Sequence, residues 1–394
     1  MPFSNSALTS LLDNDFYKLT MQHGVFKLFP RAEVSYRFIN RGNHSFPPHF
    51  AEELQEAVRE MSKLKLTAEE KDFLAVTCPY LDPTYLDFLQ GYQYDDKEVK
   101  IKQQGTELEV KITGLWYRTI LWEVPLLALI SELYYKTRGL EREIDEAVSG
   151  KAREKLQKYE ALGVKIADFG TRRRHSYQVH RLVVETLTRS SLSSFVGSSN
   201  VHLAMTNKIK PIGTHAHEWF MFHAAKFGFK MANLTGLSNW VKVYRGDLGI
   251  ALSDTYTTDV FFEQFDKMFT KLFDGVRHDS GDPVRFAEKT IRHYEKMGID
   301  PLSKTIIFSD SLNYGKIARI ASYCHNKIGM SFGIGTNLTN DAGLEPLNIV
   351  IKLTEAKPEG GHWTPVIKLS DEPGKHTGDG QMINLAKTIL NISE

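Results

Sequence analysis

Along the second half of this sequence, short apolar runs end in residues able to do chemistry. The run 164–170 ends in Asp168 and Phe169 and leads into Arg172, Arg173 and Arg174, and 192–197 leads into Ser198 and Ser199. The run 210–215 passes through Thr214 and His215 to His217 and Glu218, and 248–254 closes on Asp254. The run 274–280 carries Arg277, His278 and Asp279, 304–310 ends in Asp310, and 330–336 ends in Gly333, Gly335 and Thr336. A lone Asp or Ser at such a place is commonly a helix N-cap. Seven polar endings in succession suggest side chains converging on one face of a sheet.

That set suits anionic ligands. Guanidinium forks bind phosphate and carboxylate in a bidentate way, and glycine-rich turns at helix starts offer backbone N–H groups to phosphate. The segment 333–337, Gly-Ile-Gly-Thr-Asn, is a candidate phosphate loop that can equally be a tight turn. Asp254, Asp279 and Asp310 can hold Mg²⁺ or sugar hydroxyls, or simply cap helices. His215 and His217, two apart on a strand, also allow a metal pair of the kind found in barrel hydrolases.

The elements that must position these groups follow one plan from about residue 163: an apolar run, a polar or glycine break, then an amphipathic stretch of helical length. Seven such units predict a parallel sheet, closed into a barrel or open and doubly wound; no G-x-G-x-x-G follows the first strand to favour the open form. The flanks differ. Residues 1–62 predict a helix, a strand over 32–42 and another helix, and 97–114 alternates like an antiparallel hairpin. A second hairpin is expected around Gly360 and Gly361, followed by a C-terminal helix. The expected fold class is α/β: an irregular TIM-like barrel over 136–344, with a second α/β domain built from both chain ends, 1–135 and 345–394.

Composition limits the alternatives. Of 394 residues, 49 are basic and 48 acidic, so no global field favours nucleic acid or an anionic membrane. Two cysteines, Cys78 and Cys324, make no disulfide framework and fit a reducing, cytoplasmic setting. The N-terminus lacks a basic start followed by an apolar stretch, and the most apolar window, 124–135, is short and contains Glu132, so neither signal peptide nor membrane span is expected.

DFGTRRR (168–174), GTHAHEW (213–219), VRHDSGDP (276–283), FSDSL (308–312) and FGIGTNLT (332–339), with DFYKLTMQ near the start and NIVIKL near the end, resemble the nicotinate phosphoribosyltransferase family of the bacterial type. The matches run in order from about residue 13 to 375. The resemblance implies a cytoplasmic homodimer, with active sites at the interface, that joins nicotinate to phosphoribosyl pyrophosphate in NAD salvage, driven by ATP and using Mg²⁺. It places the pyridine ring between Phe169 and Tyr17, the latter supplied by the neighbouring subunit, with Arg277 near the ring carboxylate and Arg172 near the sugar or its pyrophosphate. It implies Asp279 and Asp310 on the ribose hydroxyls, and Gly333, Gly335 and Thr336 on the 5′-phosphate. Arg41, Lys352, Lys368 and Lys375 would form a cationic rim, while Thr214 and Ser198 join the substrate-binding set. His217 matches the histidine that the family phosphorylates from ATP, with Asp254 as its orienting carboxylate. The sequence departs from the family pattern in carrying histidine at position 215.

Three rivals bear on function. A nicotinamide-preferring relative would carry an acidic residue in the loop after the second barrel strand, where this chain has Ser198, Ser199 and Asn200; a neutral loop suits a substrate that bears a carboxylate. A metal-dependent barrel hydrolase would use His215 and His217. A non-catalytic scaffold would have no reason to gather so many arginines and carboxylates at strand ends.

Overall fold

The computed structural model describes residues 8–372 and 375–392. The first seven residues, part of the stretch expected to carry no leader, lie outside the described residues. In the flanks, β1 (Glu33–Asn40), β2 (Val99–Gln104) and β3 (Glu107–Leu115) form an antiparallel sheet that is completed from the far end of the chain. Residues of β2 and β3 alternate between buried and exposed, as the sequence pattern predicts for strands with one wet face. Gly105 turns this hairpin at φ 57°, the left-handed region that glycine enters at little cost.

Between these flanks lie seven strands, β4 (Ile166–Asp168), β5 (Phe195–Ser198), β6 (Lys210–Pro211), β7 (Ile250–Leu252), β8 (Gly275–His278), β9 (Thr305–Phe308) and β10 (Gly329–Ile334). They pair in parallel in the order β6-β5-β4-β10-β9-β8-β7. Each strand is shorter than its apolar run, and in all but β5 the last residues of the run leave the ladder. The extreme case is 210–215, where only Lys210 and Pro211 are strand.

The curled sheet stops short of closure, since no backbone ladder joins β6 to β7. Side chains bridge that seam. Thr214 Oγ1 donates to the Ile250 carbonyl at 3.0 Å, and the Leu252 N–H donates to His215 Nε2 at 3.1 Å. The His215 ring is fully buried against Phe220 and Trp240, and burial, followed by the charge of Arg277, pulls it down to about 3. A folded-state value below the ordinary 6.5 means that the unfolded chain binds the extra proton as pH falls from 7 toward 3, so acid costs stability. Between pH 7 and 5 this one ring accounts for about 2 kcal/mol. The stability penalty of His215→Phe should therefore be smaller at pH 5 than at pH 7 by that amount; urea midpoints at the two pH values check it, and an equal penalty would contradict it.

After β10 the chain returns to the first sheet as β11 (Ile349–Lys357) and β12 (Thr364–Pro365), giving the order β12-β11-β1-β3-β2. Both chain ends thus build one sheet. The second hairpin is shorter than expected: Pro365 has no N–H to continue a ladder, and the chain soon leaves for the barrel. There the Leu369 N–H donates to the Thr255 carbonyl at 2.9 Å, and Asp371 accepts from the Thr258 N–H at 2.7 Å. The helix Gly380–Ile389 follows. The apolar window forms the buried helix Glu123–Thr137, so the expected boundary at 135/136 falls within its last turn. Among the described residues, no helix is long and apolar enough to cross a membrane.

Candidate functional site

A cavity of about 180 Å³ opens at the barrel mouth, against the flanking sheet. The barrel's strand ends, loops and helix starts supply Phe169, Arg172, Ser199, Thr214, His217, Arg277 and Asp279; β11 supplies Lys352, the following strap Lys368, and the N-terminal segment Asp15 and Tyr17. Of the residues singled out from sequence, Tyr17, Phe169, Arg172, Thr214, His217, Arg277, Asp279, Lys352 and Lys368 are brought together here.

The expected origin of Tyr17 is corrected: it lines the same cavity as Phe169 within one chain. The N-terminal segment is stitched to the barrel just ahead of α1 (Phe16–Leu28). The Phe16 N–H donates to the Ser199 carbonyl at 2.7 Å, the Val201 N–H to Asn14 at 3.0 Å, and the Ser199 hydroxyl to Asp15 at 2.7 Å. Beneath these lies a bidentate ion pair in which Arg174 donates from Nη1 and Nη2 to Asp13 at 2.7 and 2.8 Å. Asn200 donates to the same carboxylate at 2.7 Å, and both ion-pair side chains are fully buried. Burial alone would raise the Asp13 carboxyl, but Arg174 and Asn200 more than offset that and hold it low. Gly213 completes the contact, since a Cβ there would meet the Tyr17 backbone nitrogen at 2.7 Å.

His217 opens the helix His217–Phe227 and is held at both nitrogens. Nδ1 meets the Thr255 hydroxyl at 3.0 Å; Nε2 meets Asp279 Oδ2 at 2.9 Å and Lys368 Nζ at 2.8 Å. Asp254, expected to orient the ring, is instead 3.8 Å from Nε2 and is engaged by Ser280 at 2.5 Å and Lys368 at 3.1 Å. Asp279 takes the orienting position, one residue beyond the end of β8, whereas Asp254 lies two residues beyond the end of β7. Burial, and then the Lys368 ammonium, pull the His217 ring down to about 4, so it is neutral at pH 7 with one N–H. A single nitrogen cannot donate to Asp279 and accept from Lys368 at once. Two tautomers therefore compete: Nε2–H facing Asp279, or a bare Nε2 facing Lys368. The Thr255 hydroxyl can serve Nδ1 in either.

Around this centre, burial would raise the Asp279 carboxyl, yet Arg277, His217 and Lys368 hold it well below the usual range. Arg277 donates to Ser309 at 3.1 Å, to the His215 carbonyl at 3.3 Å and to Asp279 at 3.2 Å. Burial, and then Lys368, pull Lys352 down to about 8.

Other expected residues lie elsewhere. Ser198 is buried with its hydroxyl donating to Asp168 at 2.5 Å, so its neighbour Ser199 faces the cavity instead. Asp310 and Lys375 line an adjacent shallow cleft, where Lys316 pairs with Asp310 at 3.1 Å. Arg41 is exposed outside the cavity. Gly333 packs beneath the Phe169 ring, whose atoms a Cβ would meet at 2.4 Å, and Gly335 precedes the one-turn helix Thr336–Thr339; none of the three lines the cavity. The histidine metal pair is also corrected. His215 gives its Nε2 to the Leu252 N–H at the seam and takes no place on the cavity wall.

Sequence reasoning missed a buried network beside Tyr17. Lys18 is fully buried and contacts Glu218 and Glu123, the latter at 2.6 Å; Tyr36 donates to Glu218 at 2.7 Å. Both glutamates line the cavity. Nothing in the pattern of α1 marks Lys18, because its partners lie about 105 and 200 residues away. Ligand atoms of His217, Asp254 and Asp279 lie within 4.8 Å of one another, close enough for a cation, and Lys368 supplies positive charge there.

Residues 164–394 match the nicotinate phosphoribosyltransferase (NAPRTase) family, and residues 12–131 match its N-terminal domain. The chain is 62% identical to the nicotinate phosphoribosyltransferase of Chromohalobacter salexigens, over 98% of this chain and 99% of that one. It is similar in structure to the nicotinate phosphoribosyltransferase of Porphyromonas gingivalis, with TM-score 0.95 and 46% identity over 98% of this chain and all of that one. The structure of the Vibrio cholerae nicotinate phosphoribosyltransferase gives TM-score 0.93 and 33% identity over all of this chain and 96% of that one. From its N-terminal segment through its barrel, this chain belongs to the nicotinate phosphoribosyltransferase family.

Proposed function

We propose that the protein condenses nicotinate with 5-phosphoribosyl 1-pyrophosphate to nicotinate mononucleotide and pyrophosphate, coupled to ATP hydrolysis through a phosphohistidine at His217, in cytoplasmic NAD salvage. The observation that carries this reading is one cavity holding two aromatic rings, four cations and a doubly held neutral histidine. Tyr17 and Phe169 sandwich the pyridine. Its nitrogen attacks C1 of the ribose as pyrophosphate leaves, so the chain acts by alignment and by neutralising charge rather than as a nucleophile. Arg277 receives the ring carboxylate; Arg172, Lys352 and Lys368 face the phosphates. Asp310 and Lys375 extend the phosphoribosyl site along the neighbouring cleft.

In the phosphotransfer step, Nε2 of the tautomer protonated at Nδ1 attacks the terminal phosphorus of ATP and ADP leaves; water later takes the phosphoryl group. Nε2 is the nitrogen that meets cavity residues, whereas Nδ1 faces the buried Thr255. Asp254 Oδ1, buried and without a hydrogen-bond partner, would hold a Mg²⁺ carried by the substrate phosphates, which would supply charge neutralisation for the leaving group.

The direct test is to incubate the protein with phosphoribosyl pyrophosphate, Mg²⁺ and nicotinate or nicotinamide, with and without ATP, and to identify the mononucleotide. Nicotinate mononucleotide, increased by ATP, is expected; nicotinamide mononucleotide alone would refute the reading. Because both aromatics come from one chain, mixing Tyr17→Ala and Phe169→Ala proteins should restore no activity even if the protein is a dimer. Recovery toward a quarter or more of the native rate would show that the site is shared.

A further inference from the structure

Four carboxylates line a cavity that the proposed reaction fills with anions: Asp15, Glu123, Glu218 and Asp279. Asp279 is answered within the cavity by Arg277 at 3.2 Å. Among cavity cations Glu123 has Arg172 at 3.7 Å and, acting through its charge alone, Lys352, whereas the partners of Glu218 are Lys18 and Tyr36. The charge that balances these two glutamates is therefore the Lys18 ammonium, which is fully buried and does not itself line the cavity.

Its position ties it to the pyridine clamp. Lys18 Nζ lies 5.5 Å from the centroid of the Tyr17 ring and 5.7 Å from that of Tyr36. Burial alone would lower the Lys18 ammonium, and the two glutamates more than offset that. It stays charged, one aromatic ring away from the pyridine.

We propose that Lys18 is a specificity-determining residue which, from behind Tyr17, sets the electrostatic sign of the pyridine pocket and lets an anionic ring enter a wall carrying Glu123 and Glu218. This rests on the reading of nicotinate as substrate. Without Lys18, Glu123 would keep Arg172 as its nearest cation and Glu218 would lose its ion-pair partner. Repulsion would then fall on nicotinate, which carries a charge, and leave nicotinamide, which does not, little affected.

The test is the ratio of kcat/KM for nicotinate to that for nicotinamide in four proteins: native, Lys18→Met, Glu218→Gln and the double variant. Lys18→Met should lower the ratio by about tenfold or more, the range expected for one uncompensated charge in a partly buried site. The double variant should recover most of that loss because the wall is again balanced, a recovery that a merely structural role for Lys18 would not give. Glu218→Gln keeps hydrogen-bonding atoms for Lys18 and Tyr36 and should raise the ratio; it stands as the test if Lys18→Met does not fold. An unchanged ratio in the single variants, or a double variant no better than Lys18→Met, would overturn the proposal. Native protein that makes no nicotinate mononucleotide would instead overturn the reading of the substrate.

Discussion

His217→Ala is expected to abolish transfer of the terminal phosphate of ATP to the protein and the ATP hydrolysis that follows from it, while slow formation of nicotinate mononucleotide without ATP survives. Among the described residues, the change removes the one cavity side chain whose neutral nitrogen faces both a carboxylate and an ammonium. Groups proposed to align the pyridine, Tyr17, Phe169 and Arg277, are left in place. Labelled ATP should give an acid-labile, base-stable adduct on the native protein and none on the variant. His215→Ala separates this from metal binding: it should destabilise the barrel seam yet leave labelling per folded molecule largely intact. Zinc at about one per chain, with no label on the native protein, would sink the phosphohistidine assignment.

Asp13→Ala should be among the most destabilising single changes in the molecule, at about 3–5 kcal/mol, because it leaves the fully buried Arg174 guanidinium without its carboxylate. The loss should appear as a lower urea midpoint. Asp13→Asn, which keeps an acceptor, should cost less, and adding Arg174→Met to Asp13→Ala should recover part of the stability. Nicotinate should also bind more weakly to Asp13→Asn, since this carboxylate pins the loop ahead of Tyr17. A midpoint for Asp13→Ala within error of the native value would show that the segment is held by its backbone bonds alone.

The seven polar strand ends were legible in the sequence because parallel strands end on one face and the repeated βα plan declares the strands. Which ends face the cavity was not. Ser198 and Ser199 differ by one residue, and the first is turned inward, where its hydroxyl donates to the buried Asp168 and accepts from the Asn200 N–H. Asp310 and Gly333 satisfy the motif but stand one layer away, where Lys316 and Phe169 occupy them. Asp254 and Asp279 read alike as strand-end carboxylates, and their different distances to His217 arise from how two loops pack. Tyr17 carries no mark of the subunit it serves; the hydrogen bonds from Phe16 and Val201 decide that. Lys18 is the extreme case, a charge whose burial depends wholly on partners far along the chain.

The cavity draws on Asp15 near the beginning of the chain and on Lys368 and Thr377 near its end, with the loops after β4, β5, β6 and β8 in between. During synthesis Tyr17 leaves the ribosome some 350 residues before Lys368. A nascent chain halted after β10 would already own both aromatics and His217, yet would lack β11, the two lysines and the strand that closes the first sheet between β1 and β12. Its β1 edge would be left with unpaired N–H and carbonyl groups, a template for sticking to other chains. The arrangement makes the last tenth of translation the moment at which both solubility and the site are completed, so truncations that spare every barrel strand should still yield inert, aggregation-prone protein.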